Sequence, residues 1–344
     1  MKRLQDLVRP NIWSLAPYSC ARNEFKGEAR VYLDANENPY NTDYNRYPDP
    51  LQTEVKTKIA RQKGVGVEQI MLGNGSDEPI DLVYRVFCEP GSADNVVAIE
   101  PTYGMYRVCA DINNVEYRPV LLGEGFALES DKVLSATDGS TKAIWLCSPN
   151  NPTGNLLNRG EMEKILRTFE GIVVVDEAYV DFSREESWLR RLREFPNMIV
   201  LQTFSKAWGL AGVRCGMAFA SEEIIGLFNK VKYPYNINIL TQKLVSSKLD
   251  EAEKTAGCVS EILASRAALI EELGKLSMIE QTYPTDANFV LVRTSDANAF
   301  YNKLVERGII TRNRNKIALC SGCVRITVGT PAENAELIAE LKKL

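Results

Sequence analysis

A continuous apolar run at residues 171–176 constrains the fold of this chain more than any other feature. The run reads Gly-Ile-Val-Val-Val-Asp, without the alternation of apolar and polar residues that a half-exposed strand would show. Such strands are typical of parallel sheets whose two faces are both covered by helices. Open sheets of this kind bind ligands beyond the carboxyl ends of their strands. The run therefore predicts a doubly wound α/β fold, with Asp176 and Tyr179 at its ligand-binding edge.

Similar apolar segments predict four further strands of this sheet, at residues 69–72, 95–99, 143–147 and 198–201. A Gly-rich turn follows the first of them, where Gly75, Ser76 and Asp77 precede a predicted helix. Free amides and the dipole at a helix start favour an anion, although a tight turn ahead of an acid-capped helix fits equally well. Tyr103 follows the second strand and could either stack on a flat ligand ring or be a half-buried loop aromatic. Taken alone, the turn does not decide between its two interpretations, and Tyr103 is better explained as a half-buried loop aromatic.

The stretch 203–216 places one lysine among hydroxyls and ahead of an arginine. Lys206 lies beside Thr203 and Ser205, and Arg214 follows after a Gly-rich turn. A lysine amine forms an imine with an aldehyde, while hydroxyls and a guanidinium bind a phosphate. Pyridoxal phosphate carries both of these groups. On its own Lys206 is better explained as a solvated lysine after a strand, so this interpretation depends on the other stretches.

The pattern changes from about residue 231 onward. A mostly helical segment runs to about residue 280, and strands at 287–292, 309–312 and 323–328 alternate with two helices. Capping boxes are predicted at Asn158 with Glu161 and at Thr330 with Glu333. The first 40 residues are aperiodic and look like an arm. We therefore expect a large domain at 41–235 and a smaller α+β domain at 236–344, with the arm at 1–40 packing against the small one.

The composition excludes several classes of function. At 344 residues and a net charge of −4 with interspersed signs, the chain shows no preference for nucleic acid. It has neither a signal-peptide pattern nor a transmembrane-length apolar run, so we expect a cytoplasmic protein without a membrane partner. It contains no histidine, which excludes histidine-based nucleophile pairs and metal sites. Cys320 and Cys323 form a Cys-x-x-Cys without a second pair, so we expect no metal and no redox role there.

Taken together, these stretches resemble the fold-type I, class I/II aminotransferases that depend on pyridoxal phosphate. The matching positions are 75–77, Tyr103, Asn151 within Asn-Pro-Thr-Gly, 176–179, Ser205 with Lys206, and Arg214. Arg325, within Cys-Val-Arg-Ile-Thr-Val-Gly, is similar to the carboxylate-binding arginine of the family's small domain. Ser76 departs from the alanine of many relatives, and a hydroxyl there does not oppose phosphate binding. The ordered set is far more specific than any one motif.

The resemblance implies a role for each of these residues in a homodimer whose sites lie at the subunit interface. Lys206 would bind the cofactor covalently and move the substrate α-proton, and Asp176 would pair with the ring nitrogen. Asn151 and Tyr179 would bind the ring's phenolic oxygen, and Tyr103 would stack on the ring. The phosphate would be bound by Gly75, Ser76, Asp77, Thr203, Ser205, Arg214 and the partner's Tyr47.

Further stretches, at 17–22, 33–39, 45–48 and 101–106, resemble one branch of this family, the histidinol-phosphate aminotransferases. That branch converts L-histidinol phosphate and 2-oxoglutarate to imidazole acetol phosphate and glutamate in histidine biosynthesis. By the same resemblance Arg325 would bind the carboxylate of glutamate, while Tyr18, Asn36 and Arg312 would place the phosphorylated substrate. A threonine-phosphate decarboxylase-like lyase and an aromatic-amino-acid aminotransferase remain alternatives. A transcription regulator with an aminotransferase-like domain is disfavoured, because the arm lacks a basic helix.

Overall fold

The structure is a computed structural model that describes residues 2–19, 24, 25, 27 and 29–343. Residues 20–22, which belong to the stretch 17–22 of the family resemblance, lie outside the described residues. The described strands are β1 (Ile70–Asn74), β2 (Asn95–Glu100), β3 (Glu116–Leu121), β4 (Thr141–Cys147), β5 (Ile172–Asp176), β6 (Met198–Thr203), β7 (Cys215–Phe219), β8 (Ile279–Thr282), β9 (Phe289–Thr294), β10 (Arg312–Asn313) and β11 (Cys323–Thr327). The described α-helices are α1 (Leu4–Leu7), α2 (Pro10–Trp13), α3 (Thr53–Lys63), α4 (Asp77–Phe87), α5 (Met105–Ile112), α6 (Ser130–Ser135), α7 (Arg159–Thr168), α8 (Glu222–Val231), α9 (Ile239–Leu249), α10 (Ala252–Leu273), α11 (Ala297–Glu306) and α12 (Pro331–Leu341).

Seven strands form the larger sheet, in the order β1-β7-β6-β5-β4-β2-β3. Strand β7 runs antiparallel to both of its neighbours, and the other strands are mutually parallel. Every residue of the central strand β5 is buried. Val173 and Val175 face a core shared with α3 and α7, while Ile172 and Val174 face a second core shared with α4, α5 and α8. This two-sided burial explains the uninterrupted apolar run and confirms the predicted doubly wound α/β fold.

The smaller sheet has four antiparallel strands in the order β10-β11-β9-β8. Helices α10, α11 and α12 cover it with a core that includes Leu273, Phe300 and Leu341. Helix α12 begins with the predicted capping box, in which Thr330 and Glu333 bond each other's backbone amides. The sheet lies after the larger one in the sequence, and it brings Arg312 and Arg325 opposite each other on β10 and β11.

Three local expectations differ from the structure. The predicted strand at 309–312 is only the two-residue β10, and β8 and the edge strand β3 were not predicted. Strand β3 contains charged residues and Pro119, a composition that only an edge strand tolerates. Because it shows no regular apolar pattern, the sequence does not predict it. The capping box at α7 is half formed, because Asn158 accepts from the Glu161 amide while the Glu161 carboxylate accepts from the Ser130 amide, at 2.8 Å.

Two segments pack on the larger unit, although the predicted domain division assigns them to the small domain. In the arm, Leu7, Val8 and Ile12 are buried in the core between the larger sheet and α4 and α8, not against the small domain. Helix α9 lies past residue 236 but packs on α3, where Lys58 Nζ lies 2.6 Å from the Asp250 carboxylate. The arm and helix α9 therefore both pack on the larger unit, which supplies the apolar contacts of the arm and the charged partner of the residue after α9. Among the described residues, no helix is long and apolar enough to span a membrane.

Candidate active site

A cleft of about 710 Å³ opens at the carboxyl ends of the parallel strands, where it meets the segment that carries β10 and β11. The loops after β1, β2, β4, β5 and β6 each send side chains into it. Most of the predicted site residues line this cleft: Ser76, Asp77, Tyr103, Asn151, Asp176, Tyr179, Thr203, Ser205, Lys206, Arg214, Arg312 and Arg325. The structure therefore brings together residues that are as far as 249 positions apart, from Ser76 to Arg325.

One end of the cleft is a cradle of backbone amides and hydroxyls at the start of α4. Gly75 adopts a φ of +69°, and its amide donates to the Arg214 carbonyl at 3.0 Å. Strand β7 approaches this turn so closely that a Cβ on Gly216 would lie 2.5 Å from the Gly75 carbonyl carbon. Thr203 Oγ1 accepts from the Ser205 amide at 3.0 Å. These bonds fix the turn, and the hydroxyl side chains of Ser76, Thr203 and Ser205 line the cleft at the start of α4, where the helix dipole favours an anion.

Arg214 adds a positive charge to this end of the cleft. Its backbone is left-handed, with a φ of +56°, and this conformation turns the guanidinium back over Gly75. Arg214 Nη2 lies 3.4 Å from the Asp77 carboxylate, and the other Asp77 oxygen accepts from the Tyr103 hydroxyl at 3.0 Å. Both side chains of the ion pair are partly exposed to the cleft, so the guanidinium is also accessible to a bound anion.

Lys206 projects into the middle of the cleft. Its Nζ lies 5.5 Å from the centre of the Tyr179 ring. Burial by the cleft walls, and then the positive charge of Arg325, lower the pKa of Lys206 below its usual value, whereas Asp176 opposes this shift. A larger fraction of this amine is therefore uncharged and nucleophilic near neutral pH than for a surface lysine.

Asp176 lies at the end of β5 and is buried, with 3% of its surface exposed. The Tyr106 hydroxyl donates to its Oδ2 at 2.6 Å, and the Ala178 amide donates to its Oδ1 at 3.0 Å. Burial raises the pKa of Asp176, and these two donors act against that rise. The site thus holds a carboxylate in a fixed orientation with each oxygen bonded once, which leaves acceptor capacity toward the cleft.

Arginines dominate the other end of the cleft. Arg325 Nη1 donates to the Asn151 side-chain oxygen, and its guanidinium carbon lies 5.0 Å from the centre of the Phe289 ring. Arg312 pairs with Arg325 across β10 and β11, and Arg314 joins them in the lining. Burial and the two neighbouring arginines lower the pKa of Arg314 to about 10, so it keeps its charge at neutral pH. This cluster is suited to bind the anionic groups of a substrate.

Gly75 belongs to the turn beside the cleft, whereas three other predicted residues lie away from the cleft. Tyr47 is half exposed and stacks on Tyr235, with ring centres 4.5 Å apart, beside a separate cavity of about 640 Å³. Tyr18 is 70% exposed and borders another cavity near Lys232. Asn36 lies in an exposed part of the arm with a φ of +54°. Within this one chain, these side chains therefore do not meet Lys206.

Sequence reasoning missed two residues that the structure places at the site. Arg314 lies two positions after Arg312, just past the end of β10, and joins it in the lining of the cleft. Tyr106 lies in the first turn of α5, and its ring meets that of Tyr103, which precedes the helix, edge to face at 5.7 Å. No sequence pattern, however, indicates that the Tyr106 hydroxyl reaches Asp176.

The donor set of the cleft fits pyridoxal phosphate. The amine of Lys206 suits an aldehyde, the cradle at Gly75 suits a phosphate, and Asp176 suits a protonated ring nitrogen. The Asn151 oxygen is occupied by Arg325, so its amide nitrogen is left to donate to a ring oxygen. Since the amine, the anion cradle and the carboxylate lie in one cleft, a single molecule that carries all three complementary groups can engage them together.

Comparison with known proteins agrees with this arrangement. The sequence profile of the family "aminotransferase class I and II" matches residues 21–341. The chain is 58% identical to the histidinol-phosphate aminotransferase of Bacteroides thetaiotaomicron over 344 residues, covering 100% of this chain and 99% of that protein. It is 57% identical, with the same coverage, to the enzyme of that name from Parabacteroides distasonis. A crystal structure of histidinol-phosphate aminotransferase from Sinorhizobium meliloti, in complex with pyridoxal-5'-phosphate, shares the fold with a TM-score of 0.81 at 23% identity, covering 88% of this chain and 83% of that one.

Proposed function

The chain belongs to the family of class I and II aminotransferases, and we propose that it transfers the amino group of L-histidinol phosphate to 2-oxoglutarate. The products are imidazole acetol phosphate and L-glutamate, and the reaction is a step of histidine biosynthesis. Pyridoxal phosphate is the cofactor. Relatives that are 57–58% identical over the full length carry the name of this activity.

The observation that carries the proposal is the division of one cleft into two cationic ends. The cradle with Arg214 can take the phosphate of the cofactor, and the cluster of Arg312, Arg314 and Arg325 remains for the substrates. Glutamate and 2-oxoglutarate have carboxylates, and histidinol phosphate has a phosphate ester. Guanidinium groups bind both kinds of anion in a bidentate manner. A site for an uncharged aromatic side chain would not require so many cations in one cleft.

The residues around the cofactor have distinct tasks. Bound pyridoxal phosphate supplies an aldehyde for the amine and a ring that withdraws electrons from the substrate α-carbon. Lys206 Nζ removes the proton at that carbon, which its lowered pKa favours. Asp176 would hold a proton on the ring nitrogen, Tyr103 would stack on the ring, and Tyr179 would donate to its phenolic oxygen. Arg325 and Asn151, joined by their hydrogen bond, orient the substrate carboxylate beside Lys206.

A substrate panel tests the proposal. The purified holoenzyme is supplied with 2-oxoglutarate and, in separate reactions, with histidinol phosphate, histidinol, tyrosine, phenylalanine or threonine phosphate. We expect glutamate to form rapidly with histidinol phosphate and slowly or not at all with the others. Release of carbon dioxide from threonine phosphate would favour a lyase instead. Equal rates with histidinol phosphate and tyrosine would favour an aromatic-amino-acid aminotransferase.

We further propose that the protein is a cytoplasmic homodimer in which each subunit gives Tyr47 to the other's cofactor site. Tyr47 is fixed outside its own cleft, because its amide donates to Glu37 at 2.7 Å and the adjacent Arg46 pairs with Glu37. The same surface exposes Tyr40 and Tyr44 by more than half. A cluster of exposed aromatic side chains of this kind is typical of an interface.

Hybrid dimers test the shared site. Co-expression of Tyr47→Phe with Lys206→Ala gives dimers that contain one doubly altered site and one intact site, if Tyr47 acts across the interface. At limiting cofactor, we expect the separated hybrid to regain about half of the parent activity, because one of two sites is whole. If Tyr47 acts within its own subunit, neither site is intact and the hybrid is as weak as the single variants. Light scattering of the parent protein checks the dimer itself.

A further inference from the structure

We propose that Tyr106 is a positioning residue that holds the Asp176 carboxylate ionised and oriented toward the cofactor ring. This inference rests on the proposed use of Asp176 as the partner of the ring nitrogen. Tyr106 lines no part of the cleft itself and is fully buried behind Asp176. It therefore acts on the cofactor through Asp176, not by direct contact.

The geometry singles out this hydroxyl. The 2.6 Å contact between Tyr106 and Asp176 Oδ2 is the short bond expected when a hydroxyl donates to a charged oxygen. The second donor, the Ala178 amide, bonds the other oxygen at 3.0 Å. Two donors on two oxygens fix the plane of the carboxylate. Without Tyr106, Oδ2 would lose its only hydrogen bond from a side chain within the described part of the chain.

A rigid stack of aromatic rings holds the hydroxyl in place. The Tyr106 ring stacks on Trp145 with centres 4.7 Å apart, and Trp145 stacks on Tyr84 at 5.5 Å. The Tyr84 hydroxyl in turn donates to the Tyr106 carbonyl at 2.6 Å. All three rings are fully buried between the larger sheet and helices α4 and α5. Packing of this density leaves the Tyr106 side chain little freedom to turn away from Asp176.

The electrostatic setting requires such a donor. Burial alone would raise the pKa of Asp176 and favour its neutral form, and the nearby Asp77 acts in the same direction. Lys206 and the hydrogen bonds from Tyr106 and the Ala178 amide oppose that rise. The pKa of Tyr106 itself is raised well above 10 by burial and by Asp176, so this hydroxyl stays protonated as a donor at working pH. The titratable groups that face Asp176 are Asp77, Tyr103, Tyr106, Cys147, Tyr179 and Lys206.

The test compares Tyr106→Phe with the matched control Tyr84→Phe. Each variant removes one hydroxyl from the same buried stack, but only the first removes a donor from Asp176. The readouts are the pH titration of the visible absorption of the bound cofactor, the dissociation constant of pyridoxal phosphate, and the pH profile of kcat. The first two do not depend on which amino donor is the natural substrate. A failure of the proposed substrate therefore cannot be mistaken for a failure of this inference.

We expect Tyr106→Phe to lower kcat by about 10- to 100-fold, the effect of one lost hydrogen bond to a charged group, with KM nearly unchanged. Because Asp176 must be ionised, a higher pKa in the variant moves the acid limb of kcat to higher pH, by about one unit or more. The cofactor titration should shift in the same direction and cofactor binding should weaken. Tyr84→Phe keeps its ring in the stack and removes only a donor to the Tyr106 backbone, so it should move all three readouts much less than Tyr106→Phe does.

Two results would overturn the inference. One is an unchanged cofactor titration and acid limb in Tyr106→Phe, together with a loss of thermal stability equal to that of Tyr84→Phe, which would make Tyr106 a packing residue only. The other is an equal shift in both variants, which would assign the effect to the stack and not to the hydroxyl. If Tyr106→Phe does not fold, Asp176→Asn in the parent provides the reference titration. Tyr106→Met, an unbranched apolar side chain that also lacks the donor, should then shift the cofactor titration toward that reference, and a parent-like titration would overturn the inference.

Discussion

Arg325 of the smaller sheet donates a hydrogen bond to Asn151, which follows β4 of the larger sheet, and so joins the two units across the cleft. The bond aims one guanidinium nitrogen at the cofactor side, while Arg325 Nε is buried without a hydrogen-bond partner among the described residues. An unpartnered buried donor is unfavourable unless a ligand completes it. The relationship is consistent with the proposed role of Arg325 in binding a substrate anion.

We predict that Arg325→Ala weakens the use of glutamate and 2-oxoglutarate strongly. Loss of a charge-assisted contact should cost about 1.5–3 kcal/mol of transition-state stabilisation, which lowers kcat/KM roughly 10- to 100-fold. Arg325→Lys should recover little, because an ammonium cannot replace the planar fork. The matched control is Arg293→Ala, an arginine of the same sheet outside the cleft. Steady-state kinetics of the glutamate half-reaction provide the measurement, and equal losses in both variants would contradict the assignment.

Lys206→Ala should abolish transamination while the protein still folds and binds cofactor. The amine is the only lysine side chain that lines the cleft among the described residues, so both the covalent link and the proton carrier are lost. Turnover should fall by several orders of magnitude. Borohydride reduction followed by peptide mass spectrometry should label Lys206 in the parent and no lysine in the variant. Near-normal turnover in the variant would refute the role of this residue.

Gly216→Ala should disturb the phosphate cradle. An added Cβ would lie 2.5 Å from the Gly75 carbonyl carbon and from the Ser76 amide, and backbone atoms cannot move aside as a flexible side chain can. We expect a loss of about 1–3 kcal/mol in the free energy of unfolding, with weaker cofactor binding. Gly212→Ala is the control from the same stretch, since its Cβ would meet nothing within 4 Å. Urea denaturation and cofactor titration measure both effects; equal behaviour of the two variants would contradict the close approach.

Sequence reasoning predicted the parts of this site that depend on single strands and the turns after them. The apolar run ending at Asp176 and the stretch around Lys206 have local patterns, and the structure brings both into one cleft. Contacts between distant segments could not be predicted in this way. The bond between Tyr106 and Asp176 joins positions 70 residues apart, and the packing of α9 on α3 depends on complementary surfaces that neither segment shows alone. The edge strand β3 could not be predicted, because it is only partly buried and combines charged with apolar residues.

The arginine cluster should separate the two substrates. Arg314 has a buried Nε without a hydrogen-bond partner in the described part of the chain, and two other arginines lie near it. A phosphate dianion would relieve this concentration of positive charge more than a single carboxylate would. We therefore expect Arg312→Ala and Arg314→Ala to raise KM for histidinol phosphate by about 10- to 100-fold, and KM for glutamate much less. Arg325→Ala should instead raise KM for glutamate more than KM for histidinol phosphate.

Unphosphorylated histidinol provides the decisive control for this prediction. It should be a poor substrate for the parent enzyme, because it lacks the group that Arg312 and Arg314 would bind. Its rate should then be insensitive to Arg312→Ala and to Arg314→Ala, since a contact that is never made cannot be lost. Parallel kinetics with histidinol and its phosphate, across the parent and both variants, measure this difference. If histidinol reacts as well as its phosphate, or loses as much activity in the variants, the cluster does not recognise the phosphate ester and an aromatic-amino-acid aminotransferase becomes the better interpretation.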